Sequence, residues 1–429
     1  MRKKPTSGQD ATREWDVAVI GGGPSGMMAA GRAAQLGARV VILEKNKGLG
    51  KKLLITGGGR CNVTNAELDD RKLLAKFKDS GKFLFSPFSQ WGVSETLDFF
   101  HTRGMPTKVE AGQRVFPLSN TAQSVWDTLV EYLRTSNVTV LSNTAVVKLN
   151  ADGGDIISAQ LKNGEIVRAH AFVLATGGTS HPETGSTGDG YAWLRSLGHS
   201  VSEASAALVP VALKEPAKNA AGVAIQDAKI TLFQNEVKQA QAKGKILFTH
   251  VGLSGPGILN MSRDIGELLK YGEVQIELDL LPDMGYEKVN ASLQETFKEN
   301  SNKKIKNSLK GLAAPALVPL VLAAAQIDPE TPCNSVTRES RVRLMKALKH
   351  WRFEVKELLG MDKAVITAGG VALTEVDLKT MRSSKYANLF LVGDILNIDR
   401  PSGGYSLQLC WTTGYVAGTS AAALAHGKD

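Results

Sequence analysis

Cysteine is scarce in this chain: three in 429 residues, Cys61, Cys333 and Cys410, far apart and odd in number. That excludes a disulfide framework, suits a reducing cytosol and leaves no paired metal spacing. The seven histidines form no HxH or HExxH pattern, so no metal is expected. Long hydrophobic runs are missing too. The most apolar stretch, residues 311–327, is broken by Pro315 and Pro319 and falls short of the roughly 20 apolar residues a membrane-spanning helix needs. Residues 1–15 are polar and lack the apolar core of a secretory signal. They read as a flexible tail, and the chain as a soluble cytoplasmic protein with no membrane partner. With 43% hydrophobic residues and a mean hydropathy of −0.10, it is globular and long enough for two or three cores.

Acidic residues are the minority charge, 42 against 51 Lys and Arg, for a net charge of +9. Two stretches account for the excess: Lys45–Lys82 holds ten basic and four acidic residues, and Lys298–Lys356 twelve and five. One reading is a solvated basic surface. The other is a phosphate-rich partner, because clustered Lys and Arg release counterions on binding nucleic acid.

What is present is organised around Asp16–Glu44. Val17–Ile20 reads as a buried parallel strand, followed by Gly21-x-Gly23-x-x-Gly26, an Ala-rich helix and a second apolar run, Arg39–Leu43. Gly21 permits the tight turn, Gly23 lets backbone N–H groups approach a pyrophosphate, and Gly26 allows close helix packing. Glu44 ends the second strand, where a carboxylate can accept hydrogen bonds from a ribose diol. The loop that follows, Lys45–Asn65, carries Gly57-Gly58-Gly59-Arg60-Cys61, a backbone able to lie flat against a ligand with a guanidinium and a thiol beside it.

Residues 71–134 read as mostly helical. Val146–Leu149 is a short strand, Ile156–Leu161 and Glu165–Arg168 a hairpin around Asn163-Gly164, and 171–178 a separate buried strand ending in Thr176-Gly177-Gly178. A composition shift follows. Leu208–Leu213, Lys229–Phe233, Lys245–Phe248 and Glu273–Leu278 are short strands of a small antiparallel barrel or sandwich. Residues 284–350 return to short, proline-punctuated helices. A last buried strand ends in Gly393-Asp394, and Gly403-Gly404 opens a terminal helix through Ala425.

The ordered set of glycine fingerprint, Ala-Thr-Gly-Gly and Gly-Asp before a glycine-started helix resembles the two-dinucleotide-binding-domain flavoproteins. More narrowly, TGGGRCNVTN (56–65), LFTHVGLSGP (247–256), ITAGGVALTEVD (366–377) and GGYSLQ (403–408) resemble the BaiN/YhiN-type family of FAD-dependent oxidoreductases. The resemblance implies an α/β, Rossmann-like FAD fold built from both ends of the chain (16–206 and 361–429). The insert, 207–360, would hold an antiparallel β-barrel at 207–282 and a helical subdomain at 283–350.

It also implies FAD contacts from Gly21, Gly23, Pro24, Ser25, Gly26, Glu44, Lys45, Lys52, Thr56, Gly57, Gly58, Arg60 and Cys61. Further contacts would come from Val147, Thr176, Gly177, Gly178, Gly393, Asp394, Gly404, Tyr405, Ser406 and Leu407. Relatives often carry Gly-Glu at 393–394 and Asn at 406, where this chain has Asp394 and Ser406. No second GxGxxG appears, so NAD(P)H as electron donor would visit the flavin only transiently.

Cys61 has two readings, a general acid beside the flavin or a small residue packing the loop. His250 likewise reads as an acid or substrate contact, or as a hydrogen-bonding residue that fixes its loop. Known activities in the resembling family reduce an activated C=C bond, in a uridine of large-subunit ribosomal RNA or in a steroid-like enone. The basic stretches favour the RNA; a small-molecule enone and a protein with purely structural FAD are the alternatives.

Overall fold

The computed structural model describes residues 14–360 and 366–427. Of the expected tail, residues 1–13 lie outside the described ones, and Glu14 and Trp15 already belong to the first strand. Two compact units emerge: Met1–Ser205 with Ile366–Asp429, and Ala206–Val365.

The first unit is built on five parallel strands in the order Thr139–Leu141, Val40–Leu43, Glu14–Ile20, Ile166–Leu174 and Leu389–Leu391. Val17 pairs with Val40 on one side and Ala171 on the other, and both neighbours continue as buried apolar runs, packed against the helices Pro24–Gln35 and Tyr405–Ala425. Arg382–Ser383 and Val376–Asp377 extend the sheet antiparallel at one edge. The two strands expected at 165–168 and 171–178 are one strand, Ile166–Leu174. Its first half pairs antiparallel with Asp155–Leu161 and alternates exposed and buried residues; its second half lies between two parallel neighbours and is continuously buried. The change of pattern marks a change of pairing partner, with no chain break.

Helix Pro24–Gln35 packs along the terminal helix Tyr405–Ala425. A methyl added at Gly414 would sit 2.5 Å from the Ser25 carbonyl oxygen, and one at Gly418 2.4 Å from that of Ala29, so these glycines set the helix spacing. Two expectations need correction. Residues 71–134 include the strands Thr107–Glu110 and Arg114–Pro117, which with Thr64–Asn65 form a small antiparallel sheet over the buried Val115 and Phe116. Residues 45–65 are not all loop. The element Lys51–Gly59 is helical to Ile55 and turns away at Thr56, Gly57 and Gly58.

The second unit contains a closed six-stranded barrel: Val211–Leu213, Gly252–Ser254, Val237–Phe248, Ala224–Gln234, Val274–Asp279 and Trp351–Leu358. The last strand closes on the first at Val211↔Leu358. It lies outside the expected barrel range of 207–282, whereas the helix Pro256–Leu269 lies inside that range. WRFEVKEL alternates buried and exposed residues, the signature of a strand facing a barrel core on one side. Ile230, Leu232, Ile246, Phe248, Ile276 and Leu278 fill the core with Ile258 and Ile265 of the helix. The helices Tyr286–Glu299, Val318–Ala324 and Arg338–Lys349 complete the unit.

Candidate active site

Four parallel strands of the first unit end together, and their carboxyl ends deliver Gly21, Glu44, Thr176 and Gly393-Asp394 to one sheet edge. In open α/β sheets that edge is where ligands bind. Gly21 adopts φ +102°, and a Cβ there would lie 2.5 Å from the Ala175 carbonyl oxygen. Only glycine lets the first turn pass the neighbouring strand so closely. Gly23 is different: a Cβ there would meet no atom of the protein within 4 Å, so open space lies in front of the first turn of helix Pro24–Gln35, which carries Ser25 and Gly26.

Glu44 is buried, 6% exposed. One carboxylate oxygen accepts the Gly22 N–H at 2.7 Å, and the other accepts the backbone and side-chain N–H groups of Asn46 at 2.7 and 2.8 Å. The acid thus clamps the glycine turn, and its Oε2 retains a lone pair for a hydroxyl. Lys45, next to it, is committed to Asp189 at 2.7 Å and Thr187 at 2.5 Å.

Lys52 donates to Ser180 and faces Asp394 at 3.6 Å. Asp394 pairs with Arg400, whose side chain also donates to Ser406 Oγ at 3.0 Å and to the Ile398 carbonyl at 2.7 Å. Burial pushes the Asp394 carboxyl up, but Arg400 and Lys52 more than offset this and hold it below the ordinary carboxylate range. Arg400 is 2% exposed and was not singled out from the sequence. Its only signal there is a basic residue between Gly-Asp and the Gly-Gly helix start.

The TGGGRCNVTN segment and the start of the terminal helix form one body. Gly404 takes φ +104°, and a Cβ there would sit 2.3 Å from the Thr64 carbonyl. Thr64 Oγ1 donates to Gln408 Oε1 at 2.6 Å, Gln408 Nε2 donates to the Gly92 carbonyl at 3.0 Å, Trp411 Nε1 to that of Val63 at 2.9 Å, and Asn65 Nδ2 to that of Gly403 at 3.1 Å. Thr64, Asn65 and Gln408 lay inside recognised motifs without being picked as anchors. Ser406 faces Arg400, Tyr405 is buried edge-on against Phe77, and Leu407 is buried in the core.

Thr56 Oγ1 bonds to the Leu53 carbonyl at 2.6 Å, and Gly57 and Gly58 are exposed. Arg60 lies over the Phe116 ring at 4.1 Å and bonds to Glu110 and Asn120. Cys61 has φ +58° and no exposed surface. Burial pushes its thiol up to about 12 against a smaller opposing hydrogen bond with Thr56, so it stays protonated at physiological pH. Val147 is 45% exposed and follows the Asn143–Thr144 segment, which donates to the Asn46 and Glu44 carbonyls at 2.9 and 2.8 Å. Gly177 and Gly178 follow Thr176 beyond the strand end. His250 belongs to the second unit, exposed on the turn between two barrel strands. Thr249 fixes that turn: its Oγ1 accepts the Gly252 N–H at 3.0 Å and its own N–H donates to the Gly252 carbonyl at 2.8 Å.

These residues fit FAD. The space before Gly23 suits a pyrophosphate at a helix start. Thr176 Oγ1 and Asn62 Oδ1 are buried without a hydrogen-bond partner among the described residues, a costly state that a bound ligand relieves. FAD, when bound, supplies hydride chemistry; the chain supplies its orientation and electrostatics. Among the described residues no group of His, Cys, Asp and Glu is placed to hold a metal, and no helix is long and apolar enough to cross a membrane.

The model of a family described as HI0933-like protein Rossmann domain matches residues 15–420. A 3-dehydro-bile acid delta(4,6)-reductase of Clostridium scindens is 34% identical over 412 residues, 95% of this chain and 98% of the relative. A ribosomal RNA dihydrouridine synthase of Escherichia coli is 30% identical over 405 residues, 94% of this chain and 96% of the relative. Among solved structures, a 3-ketosteroid-delta4-(5alpha)-dehydrogenase from Rhodococcus jostii RHA1 shares the fold with a TM-score of 0.53 and 17% identity, covering 98% of this chain and all of that one.

Proposed function

The chain belongs to the HI0933-like family, the BaiN/YhiN type of FAD-dependent oxidoreductase, and on that premise we propose that it reduces a carbon–carbon double bond conjugated to a carbonyl, its substrate a uridine of large-subunit ribosomal RNA. In this reading the FAD pyrophosphate lies at Gly21–Gly26 and the ribose at Glu44. The isoalloxazine lies near Thr56–Cys61, and Asp394 and the helix start at Gly404 face the ribityl and flavin N1 side. A helix N-terminus stabilises the negative charge that reduced flavin gathers at N1. NAD(P)H is the proposed electron donor. Reduction adds a hydride to the β-carbon and a proton to the α-carbon.

One observation carries the choice of substrate. In the unit that holds the cradle, Lys45, Lys52, Arg60, Lys72 and Lys78 are spent on acidic partners. Lys47, Lys51, Arg71, Lys76 and Lys82 are exposed and have none among the described residues. Exposed cations without acidic partners can meet the phosphates of a nucleic-acid substrate, whereas an enone gains nothing from them. The higher identity to the bile-acid reductase supports the second reading, a small-molecule enone.

The test is dihydrouridine mapping at single-nucleotide resolution in ribosomal RNA from cells with and without the gene. Loss of one site, restored by the wild type and not by Glu44→Ala, supports the RNA reading. An unchanged profile overturns it and moves the search to enones. Single-turnover oxidation of the reduced enzyme in Cys61→Ala and His250→Asn then separates the two acid candidates.

A further inference from the structure

Among the described residues Arg400 is the most deeply buried charged residue, 2% exposed, and it stands between two helix starts. Next to its partner Asp394, Gly393 packs on the first turn of helix Pro24–Gln35: a Cβ there would lie 2.7 Å from Ser25 Oγ. Its other partner, Ser406, is the second residue of helix Tyr405–Ala425. The cation thus lies inside the cradle, within a contact or two of both helix starts that the cofactor reading uses.

Each nitrogen of the guanidinium donates once. Nη2 donates to Asp394 Oδ1, Nη1 to the Ile398 carbonyl at 2.7 Å and Nε to Ser406 Oγ at 3.0 Å. A buried Asp394 needs a cation, and a lysine would meet that need. The Nε contact is different. Nε sits one atom back from the fork, where lysine has a methylene, so arginine is the cationic side chain with a donor at that place.

That contact fixes the direction of the serine hydroxyl. Its oxygen accepts the Nε–H, so its hydrogen points away from Arg400, and no acceptor for it lies within hydrogen-bond distance among the described residues. Ser406 is only half-buried, which leaves the hydroxyl a side open to a ligand. The charge behind it is positive: Lys52 faces Asp394 at 3.6 Å, so two cations stand against one carboxylate. A donor held in place with positive charge behind it stabilises negative charge that develops in front of it.

We propose that Arg400 is a positioning residue for the flavin. It holds the Ser406 hydroxyl as a donor toward the pyrimidine edge of bound FAD. Two-electron reduction with uptake of one proton leaves a negative charge on that edge, so the contact raises the reduction potential. The proposal rests on the placement of the flavin N1 side at the start of the terminal helix.

The test is the reduction potential of the FAD-loaded enzyme, measured by reductive titration against a reference dye, in wild type, Ser406→Ala, Arg400→Lys and the double variant. Ser406→Ala should make reduction about tenfold less favourable, a fall of about 30 mV for a two-electron couple. Arg400→Lys keeps a cation beside Asp394 and loses the Nε donor. It should shift the potential the same way, and the double variant should fall no further than the larger single shift. Sulfite gives a second readout, because its adduct with flavin also places negative charge on the pyrimidine edge; its dissociation constant should rise about tenfold in Ser406→Ala. Flavin content and the visible spectrum confirm that each variant is folded and loaded. Should Arg400→Lys not retain flavin, Arg400→Gln with Asp394→Asn, which removes both buried charges together, takes its place with the same expected direction.

Shifts that add in the double variant overturn the proposal, as does an Arg400 variant that loses flavin while the flavin it keeps has the wild-type potential. A wild-type potential in Ser406→Ala also overturns it. If Arg400→Lys still moves the potential, that result removes the serine and leaves the flavin beside the cluster; if neither variant moves it, the flavin does not meet this helix start. No substrate enters the titration, so the choice between RNA and enone fails or stands separately.

Discussion

The two units bury charge in opposite ways. In the barrel unit, Lys349 and Asp279 pair at 2.7 Å with side chains 8% and 10% exposed, and the other two Lys349 contacts go to the Leu281 and Met284 carbonyls at 2.8 and 2.7 Å. All three ammonium donors are satisfied from within the chain. Beside it, burial pushes the Glu277 carboxyl up, but Arg352 and His350 more than offset this and hold it below the ordinary range. In the flavin unit, Arg400, Asp394 and Lys52 are also interlocked, yet Thr176 Oγ1 at the end of a neighbouring strand has no partner among the described residues and the space before Gly23 is open. A saturated ionic cluster fastens a helix to a barrel. An ionic cluster with unspent polar atoms at a sheet edge is prepared for a ligand. The comparison predicts that charge changes in the barrel cost stability, and that those at the sheet edge cost cofactor.

The largest effect is expected from Lys349→Met, which strands a buried carboxylate and should cost roughly 3–5 kcal/mol of stability in chemical denaturation. Flavin content per folded molecule should stay unchanged; a flavin-free folded variant would break the contrast between the units. Adding Asp279→Leu should recover part of the loss, because the uncompensated charge is gone.

Gly404→Ala comes next. The added methyl meets the Thr64 carbonyl at a positive φ and should cost on the order of 1–3 kcal/mol, expressed as loss of bound flavin from the purified protein. Full flavin content would show that the loop and helix start are not coupled as described.

Glu44→Ala should weaken FAD retention by tenfold or more, measured by equilibrium dialysis, since it removes both the clamp on Gly22 and the proposed ribose acceptor. Unchanged retention would remove Glu44 from the ribose assignment. Acid sharpens the same point through Asp394. Its folded-state pKa is depressed, so its contribution is fully present above the ordinary carboxylate value. That contribution is lost as pH falls through the lower folded value. Flavin should therefore leave wild type only in that acid range, while Asp394→Asn should hold flavin weakly at neutral pH.

The smallest effect concerns the thiols. Burial pushes Cys61 and Cys410 up to about 12, and Cys333 is buried too, so a thiol reagent at pH 8 should find no reactive group until the chain unfolds. One fast-reacting equivalent in the native enzyme that Cys61→Ala abolishes would show that solvent reaches the Cys61 thiol in the folded chain.

Much of the flavin unit was legible because its signals are local. A strand, a glycine turn and an acid at the end of the next strand sit within one short stretch, and the backbone demands at Gly21 leave few alternatives. Residues 107–117 were misread because two short strands inside a helical region offer little periodicity. The barrel-closing strand was missed because WRFEVKEL follows a long helical stretch and finds its partner at Val211–Leu213, far back in the chain. Arg400 was missed for the same kind of reason: the value of a lone arginine depends on Asp394 and Ser406 lying beside it.

Local pattern determined the fold class, since strand alternation and glycine spacing are properties of neighbours in the chain, and the resemblance of the ordered motifs pointed to the family and its cofactor. Tertiary structure alone decided which cations are spent and which face outward. It also decided which polar atoms are buried without a partner, and that Trp91 stacks on Tyr415. These depend on distances between residues far apart in sequence, which no local pattern encodes.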